Sequence, residues 1–164
     1  MISKKVILTG SFGVGKTSLF NQFIYETFSD KYLTTIGVKV NKKSVTVGTE
    51  EVSILLWDIA GEVSQDKVPN SYLLGAAAVF YVFDLNRPTT YKNLETDLVH
   101  LRNLLPHATI RVVGNKKDLL TDEQLQALGS EMPISWDVLT SAKTGENVES
   151  LFTQLAQEFV AELK

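Results

Sequence analysis

The stretch Gly10-Ser11-Phe12-Gly13-Val14-Gly15-Lys16-Thr17 stands between a short apolar run, Val6-Ile7-Leu8, and a segment with helical spacing of Leu19, Phe20, Phe23 and Ile24. The first run reads as a buried strand and the second as an amphipathic helix, so the glycines fall in the tight turn that joins them. A strand, a glycine-rich loop and a helix in that order constrain the fold more than any other feature here. They are the opening of an α/β domain with a largely parallel sheet.

The rest of the chain repeats the alternation. Val38 to Val47 and Val52 to Trp57 are predicted strands around Gly48-Thr49-Glu50, a hairpin signal. Val79-Phe80-Tyr81-Val82-Phe83 is apolar on both faces, as in the middle of a covered sheet. Tyr91, Leu94, Leu98, Leu101 and Leu105 follow at helical spacing, and Ile110 to Val113 is another buried strand. Thr121-Asp122-Glu123-Gln124 is a capping box that opens a short helix, which Gly129 is expected to close. Pro133 to Val138 reads as the last strand, and Val148, Leu151, Phe152, Leu155 and Phe159 as a C-terminal amphipathic helix. With no repeat, low-complexity tract or linker, the 164 residues read as one domain.

The loop fits G-x-x-x-x-G-K-[ST], and its chemistry explains its spacing. The backbone of Gly13, Val14 and Gly15 can wrap a phosphate with its N–H groups turned inward. The helix that begins near Lys16, Thr17 and Ser18 adds its positive dipole end. Lys16 can reach β- and γ-phosphates, and the Thr17 hydroxyl suits Mg²⁺, a hard cation that prefers oxygen. The base is a separate question. Asn115-Lys116-Lys117-Asp118 follows a strand end, where ligands bind in open α/β sheets. An ionised Asp118 is acceptor-only and matches the adjacent N1–H and N2–H₂ donors of guanine, which adenine lacks. The Lys116 stem can lie along the ring, and Asn115 can tie this segment to the phosphate loop. Ser141-Ala142-Lys143 follows the final strand, where a backbone N–H can meet guanine O6.

In these residues the chain resembles the Ras superfamily of small GTPases, most closely its Rab-like branch. The remaining family boxes are Thr34-Thr35-Ile36-Gly37-Val38 and Trp57-Asp58-Ile59-Ala60-Gly61-Glu62. The resemblance implies a P-loop NTPase G domain with three layers, a six-stranded, mostly parallel sheet with one antiparallel strand, and about five helices. It implies that Thr35 and Thr17 ligate Mg²⁺ and that Asp58 holds the ion through water. The Gly61 N–H would contact the γ-phosphate, Phe28 would pack on the guanine, and Tyr32 would cover the phosphates. Two loops, about residues 29 to 38 and 60 to 72, would order around GTP and relax with GDP. An effector, an exchange factor and an activating protein would act at these loops.

Two positions depart from the family. Glu62 stands where a glutamine usually orients the attacking water. It can act as a base, point into solvent, or repel the γ-phosphate; at roughly 5 Å and an effective dielectric near 20 the repulsion is about 3 kcal/mol, a factor of about a hundred in rate. Phe12 replaces a small residue and can crowd the water, block an arginine finger, or turn outward. The expected activity is therefore a slow GTPase using Lys16, Thr35, Gly61 and Glu62. The alternative is a GTP-binding interaction module without hydrolysis.

Composition excludes other classes. A net charge of −3 argues against nucleic acid as a partner, and the absence of cysteine removes disulfides, thiolate metal sites and palmitoylation. There is no signal peptide, apolar span, Met-Gly start or C-terminal prenylation motif, so the expectation is a cytoplasmic protein with no membrane anchor in this chain.

Overall fold

The computed structural model describes residues 2–11, 13–26, 38–59, 69–132 and 135–163. Six strands form one sheet in the order β2-β3-β1-β4-β5-β6. They are β1 (Ile2–Gly10), β2 (Val38–Val47), β3 (Glu50–Ile59), β4 (Ala78–Asp84), β5 (Thr109–Asn115) and β6 (Val138–Leu139). Only β2 runs antiparallel; β1 pairs in parallel with both β3 and β4, and β4–β5–β6 continue in parallel. Five helices lie among the described residues: α1 (Lys16–Tyr25), α2 (Asn70–Leu73), α3 (Leu94–Leu104), α4 (Asp122–Glu131) and α5 (Val148–Ala161). This is the three-layer Ras-type G-domain architecture that the resemblance implied.

Strand alternation divides the core. Val6, Leu8, Phe80 and Val82 face α1 and α5, where Phe23 stacks on Phe152 at 3.8 Å and Phe80 meets the same ring edge-on. Ile7, Val79, Tyr81 and Phe83 face the other way, against Leu94, Leu98 and Leu101 of α3 and Leu125 of α4. Each residue of β4 is buried because both faces of the central strand are covered. The Tyr81 hydroxyl would be an orphan there, and it donates instead to the buried Asp97 carboxylate at 2.5 Å. Among the described residues no helix is long and apolar enough to cross a membrane.

Local reading and structure part company at three places. The turn between β2 and β3 is only Gly48-Thr49, with β3 already running at Glu50. Gly129 does not end α4, which continues to Glu131; a Cβ on Gly129 would come 3.3 Å from the Trp136 ring, so the glycine makes room for packing. The last strand is reduced to Val138–Leu139, and Pro133 lies outside the described residues. The Asp137 carboxylate accepts from the Val112 N–H at 2.7 Å, so a side chain supplies a bond that a longer strand would have made. The three lysines of β2 also divide: Lys39 and Lys43 lie over the rings of Phe20 and Phe23, while Lys42 is exposed on the opposite face.

Candidate functional site

The carboxyl ends of β1, β4 and β5 converge where the strand order reverses about β1, the place at which open α/β sheets bind ligands. β1 runs straight into the glycine-rich loop. Gly10 has φ +146°, and a Cβ there would sit 2.1 Å from the Val82 carbonyl oxygen, so no larger residue fits beside β4. Gly15, at φ +98°, is the N-cap of α1 and offers no side chain to its first turn, which holds no acidic residue either. The positive end of the helix is thus left open toward the loop.

Lys16 lies across this loop. Its ammonium donates to the Ser11 carbonyl at 2.8 Å and the Gly10 carbonyl at 3.2 Å, and the residue is only 6% exposed. Burial lowers its pKa to about 8, with the Asp58 carboxylate pulling the other way. A buried cation held chiefly by neutral carbonyls is a site suited to an anion. At the same end, the Thr17 hydroxyl donates to Asp58 Oδ2 at 2.6 Å, and Asp58, from β3, is fully buried. Ser18 follows in the first turn of α1.

Asn115 joins three segments. Its Nδ2 donates to the Val14 carbonyl at 2.9 Å, while Oδ1 accepts from the Thr140 hydroxyl at 3.0 Å and the Ala142 N–H at 3.3 Å. The side chain is buried, and Gly15 must be glycine for it to fit: a Cβ there would be 2.3 Å from Asn115 Nδ2. Lys116 adopts φ +68° and donates to the Gly13 carbonyl at 3.0 Å. Asp118 is exposed, and its Oδ1 accepts from the Ser141 hydroxyl at 2.7 Å; that hydroxyl in turn accepts from the Thr144 N–H. Lys143 is exposed on the same loop, next to the buried Ala142.

The structure therefore brings together Gly13, Val14, Gly15, Lys16, Thr17, Asp58, Asn115, Lys116, Asp118, Ser141 and Ala142. Phe12, Phe28, Tyr32, Thr35, Gly61 and Glu62 lie outside the described residues. Sequence reasoning passed over Thr140, Asp84 and Arg87. Asp84 is a buried carboxylate 2.9 Å from the Lys116 ammonium, and Arg87 Nη1 donates to the Gly13 carbonyl at 3.4 Å. A signal was available: Asp84 is the one charged residue of a strand that is otherwise apolar, and it stands at the carboxyl end.

The donor set also tests the implied metal. A threonine hydroxyl and a buried carboxylate, both hard oxygen donors from different elements, fit Mg²⁺. Among the described residues no three of His, Cys, Asp or Glu gather into a metal-holding group. Mg²⁺ usually takes one or two protein oxygens and completes its shell with water and phosphate.

Comparison with known proteins agrees with the geometry. The sequence pattern of the Ras family matches residues 5–161. The chain is 36% identical to Ras-related protein Rab-4A of Bos taurus over 165 aligned residues, covering 98% of this chain and 76% of that protein. It is 35% identical to Rab-4A of Homo sapiens with the same coverage. It is also 36% identical to Ras-related protein Rab-4B of Homo sapiens over 158 residues, 93% of this chain and 74% of the relative. With the family pattern spanning nearly the whole sequence and the phosphate and base segments locked together by Asn115, the chain belongs to the Ras family as a Rab-like small GTP-binding switch protein.

Proposed function

We propose that the 164 residues form one G domain that binds GTP and GDP with Mg²⁺, hydrolyses GTP slowly, and signals the state of its nucleotide through two loops. The observation that carries this reading is the Asn115 side chain, which bonds the phosphate loop at Val14 and the Ser141–Lys143 segment at Ala142. One bound molecule could then touch all three segments, with a triphosphate at one end and a base at the other.

The chain's own residues divide the work. The backbone of Gly13, Val14 and Gly15 and the first turn of α1, with Ser18, bind the phosphates. Lys16 exchanges two neutral carbonyl partners for phosphate oxygens, which relieves the burial of its charge. Thr17 and Thr35 would hold Mg²⁺, with Asp58 behind them accepting a hydrogen bond. Mg²⁺, when bound, neutralises charge on the β- and γ-phosphate oxygens. Asp118 accepts the two guanine donors, and Lys116 and Phe28 cover the faces of the base. Tyr32 shields the phosphates, and the Gly61 N–H senses the γ-phosphate. Partners that prefer ordered loops read the GTP state, and their discrimination cannot exceed the difference in contact energy between the two states.

Hydrolysis is slow because Glu62 and Phe12 stand where the family carries a water-orienting glutamine and a small residue. The same two residues favour a second reading, a GTP-loaded binding module that does not turn over. Single-turnover hydrolysis of bound GTP, followed by chromatography, separates the two. We expect conversion over hours, at or below the order of 10⁻⁴ s⁻¹ of unassisted Ras-type proteins, and acceleration of roughly tenfold or more by Glu62→Gln. Rates near 1 s⁻¹ in the wild type contradict the slow-GTPase reading, and GTP that persists for days supports the binding module.

A further inference from the structure

Asp84 was not needed to recognise the site, yet it is the most deeply buried carboxylate beside the base-reading segment. It closes β4 with its side chain 2% exposed. Oδ1 accepts from the Asn86 N–H at 2.8 Å, and Oδ2 is 2.9 Å from Lys116 Nζ. The same ammonium donates to the Gly13 carbonyl at 3.0 Å, and Arg87 Nη1 approaches that carbonyl at 3.4 Å. The loop carrying both charged residues is braced from within: Thr90 Oγ1 accepts from the Asp84 N–H at 2.9 Å and donates to the Arg87 carbonyl at 2.7 Å. It is also joined to β5, where the Leu85 N–H donates to the Asn115 carbonyl at 3.1 Å.

A buried carboxylate is stable only when paired, and a long lysine side chain has one preferred geometry only when something fixes it. Asp84 and Lys116 meet both needs at once. The result is a chain of contacts from the end of β4, through the base-reading segment, to the phosphate loop. We infer that Asp84 is a positioning residue: through Lys116 it clamps the base-reading segment onto Gly13 of the phosphate loop and so sets how long a bound guanine nucleotide stays. The inference rests on the nucleotide-binding reading above. A ligand lying between two segments leaves when they part, so contacts that join them act on the dissociation rate.

The test loads the full chain with fluorescent GDP and follows its release into excess unlabelled GDP, with Mg²⁺ and again with EDTA. Asp84→Asn keeps an acceptor for the Asn86 N–H and nearly the same volume, but removes the charge that orients Lys116. Release is expected to accelerate about tenfold, by the same factor with and without Mg²⁺, because the phosphate and metal contacts are left alone. Asp84→Glu, which restores a carboxylate, is expected to recover most of the wild-type rate. Lys116→Ala accelerates release, and adding Asp84→Asn to it has no further effect, as required if Asp84 acts through Lys116. Should Asp84→Asn fail to fold, Lys116→Gln with Arg87→Gln probes the same clamp from its accessible side and is expected to speed release at least tenfold. A wild-type release rate in Asp84→Asn, independent effects in the double variant, or no acceleration in the lysine–arginine pair overturns the role of Asp84. Wild-type protein that retains no labelled GDP overturns instead the nucleotide-binding reading on which it rests.

Discussion

Asp118→Asn is expected to turn a guanine-specific protein into one that prefers xanthine nucleotides. The carboxylate offers only acceptors, which suit the N1–H and N2–H₂ of guanine. Xanthine presents a carbonyl in place of the amino group, and the substituted amide offers a donor to that carbonyl while still accepting from N1–H. Sites built on such pairings reject the wrong partner by roughly 10⁴, because a polar group is left without its partner. We therefore expect GDP affinity to fall by about 10³ or more, with the xanthine diphosphate bound in its place. The fold should not suffer. Asp118 is exposed, and its contact in the free protein is an acceptor role toward the Ser141 hydroxyl that an amide oxygen can also fill. Thermal melting of the variant should stay close to wild type. An unchanged preference for GDP would contradict the account of base reading.

The second large effect falls on Lys16, and its sign differs between two measurements. In the free protein Lys16 is buried, and its pKa is lowered to about 8, which marks a charge held at a cost of about 1.4 kcal/mol per unit of depression. Replacing it by methionine keeps the apolar stem and removes that charge. Nucleotide-free Lys16→Met is thus expected to melt at or above the wild-type temperature, by about a kcal/mol of added stability. Affinity for GDP and GTP should fall by at least about 10³, since the charge-assisted bonds to phosphate are lost together with the charge that neutralised it. Stability gained while binding is lost identifies a residue kept for ligand chemistry. A structural lysine gives the opposite result, a lower melting temperature with binding intact.

Much of the molecule was legible in the sequence because local and tertiary demands agree there. The apolar run of β4 could only be a covered strand, and Thr121 with Gln124 forms both bonds of the capping box that its spacing suggests. Gly10 to Thr17 was legible for a stricter reason: backbone geometry at Gly10 and Gly15 admits no Cβ, so the residue types report the conformation directly. What was not legible depends on residues distant in sequence. Gly129 looks like a helix stop until Trp136 is seen to occupy the space beside it. The edges of β6 depend on the Asp137 side chain replacing a backbone partner. His100 has no partner pattern in the sequence, and in the fold its ring Nε2 is buried with no hydrogen-bond partner among the described residues. Asp84 was passed over because a strand-end aspartate has a local explanation, its bond to the Asn86 N–H. Its second partner, Lys116, comes from the segment after β5, and no spacing rule points to it. The site's tie points at Asn115 follow the same logic: the residue was visible, but its three partners lie in two segments distant from it in sequence, Val14 in one and Thr140 with Ala142 in the other.

The claim that the protein is a guanine-nucleotide binder with Mg²⁺ at its phosphate end is tested most directly by what it carries. The protein is purified without added nucleotide, denatured, and the released small molecules are separated by chromatography. Close to one guanine nucleotide per chain is expected, exchanged by GDP but not by ADP, and lost much faster when EDTA removes Mg²⁺. Adenine nucleotide in its place, or protein that holds no nucleotide and takes up none from GDP with Mg²⁺, would contradict it.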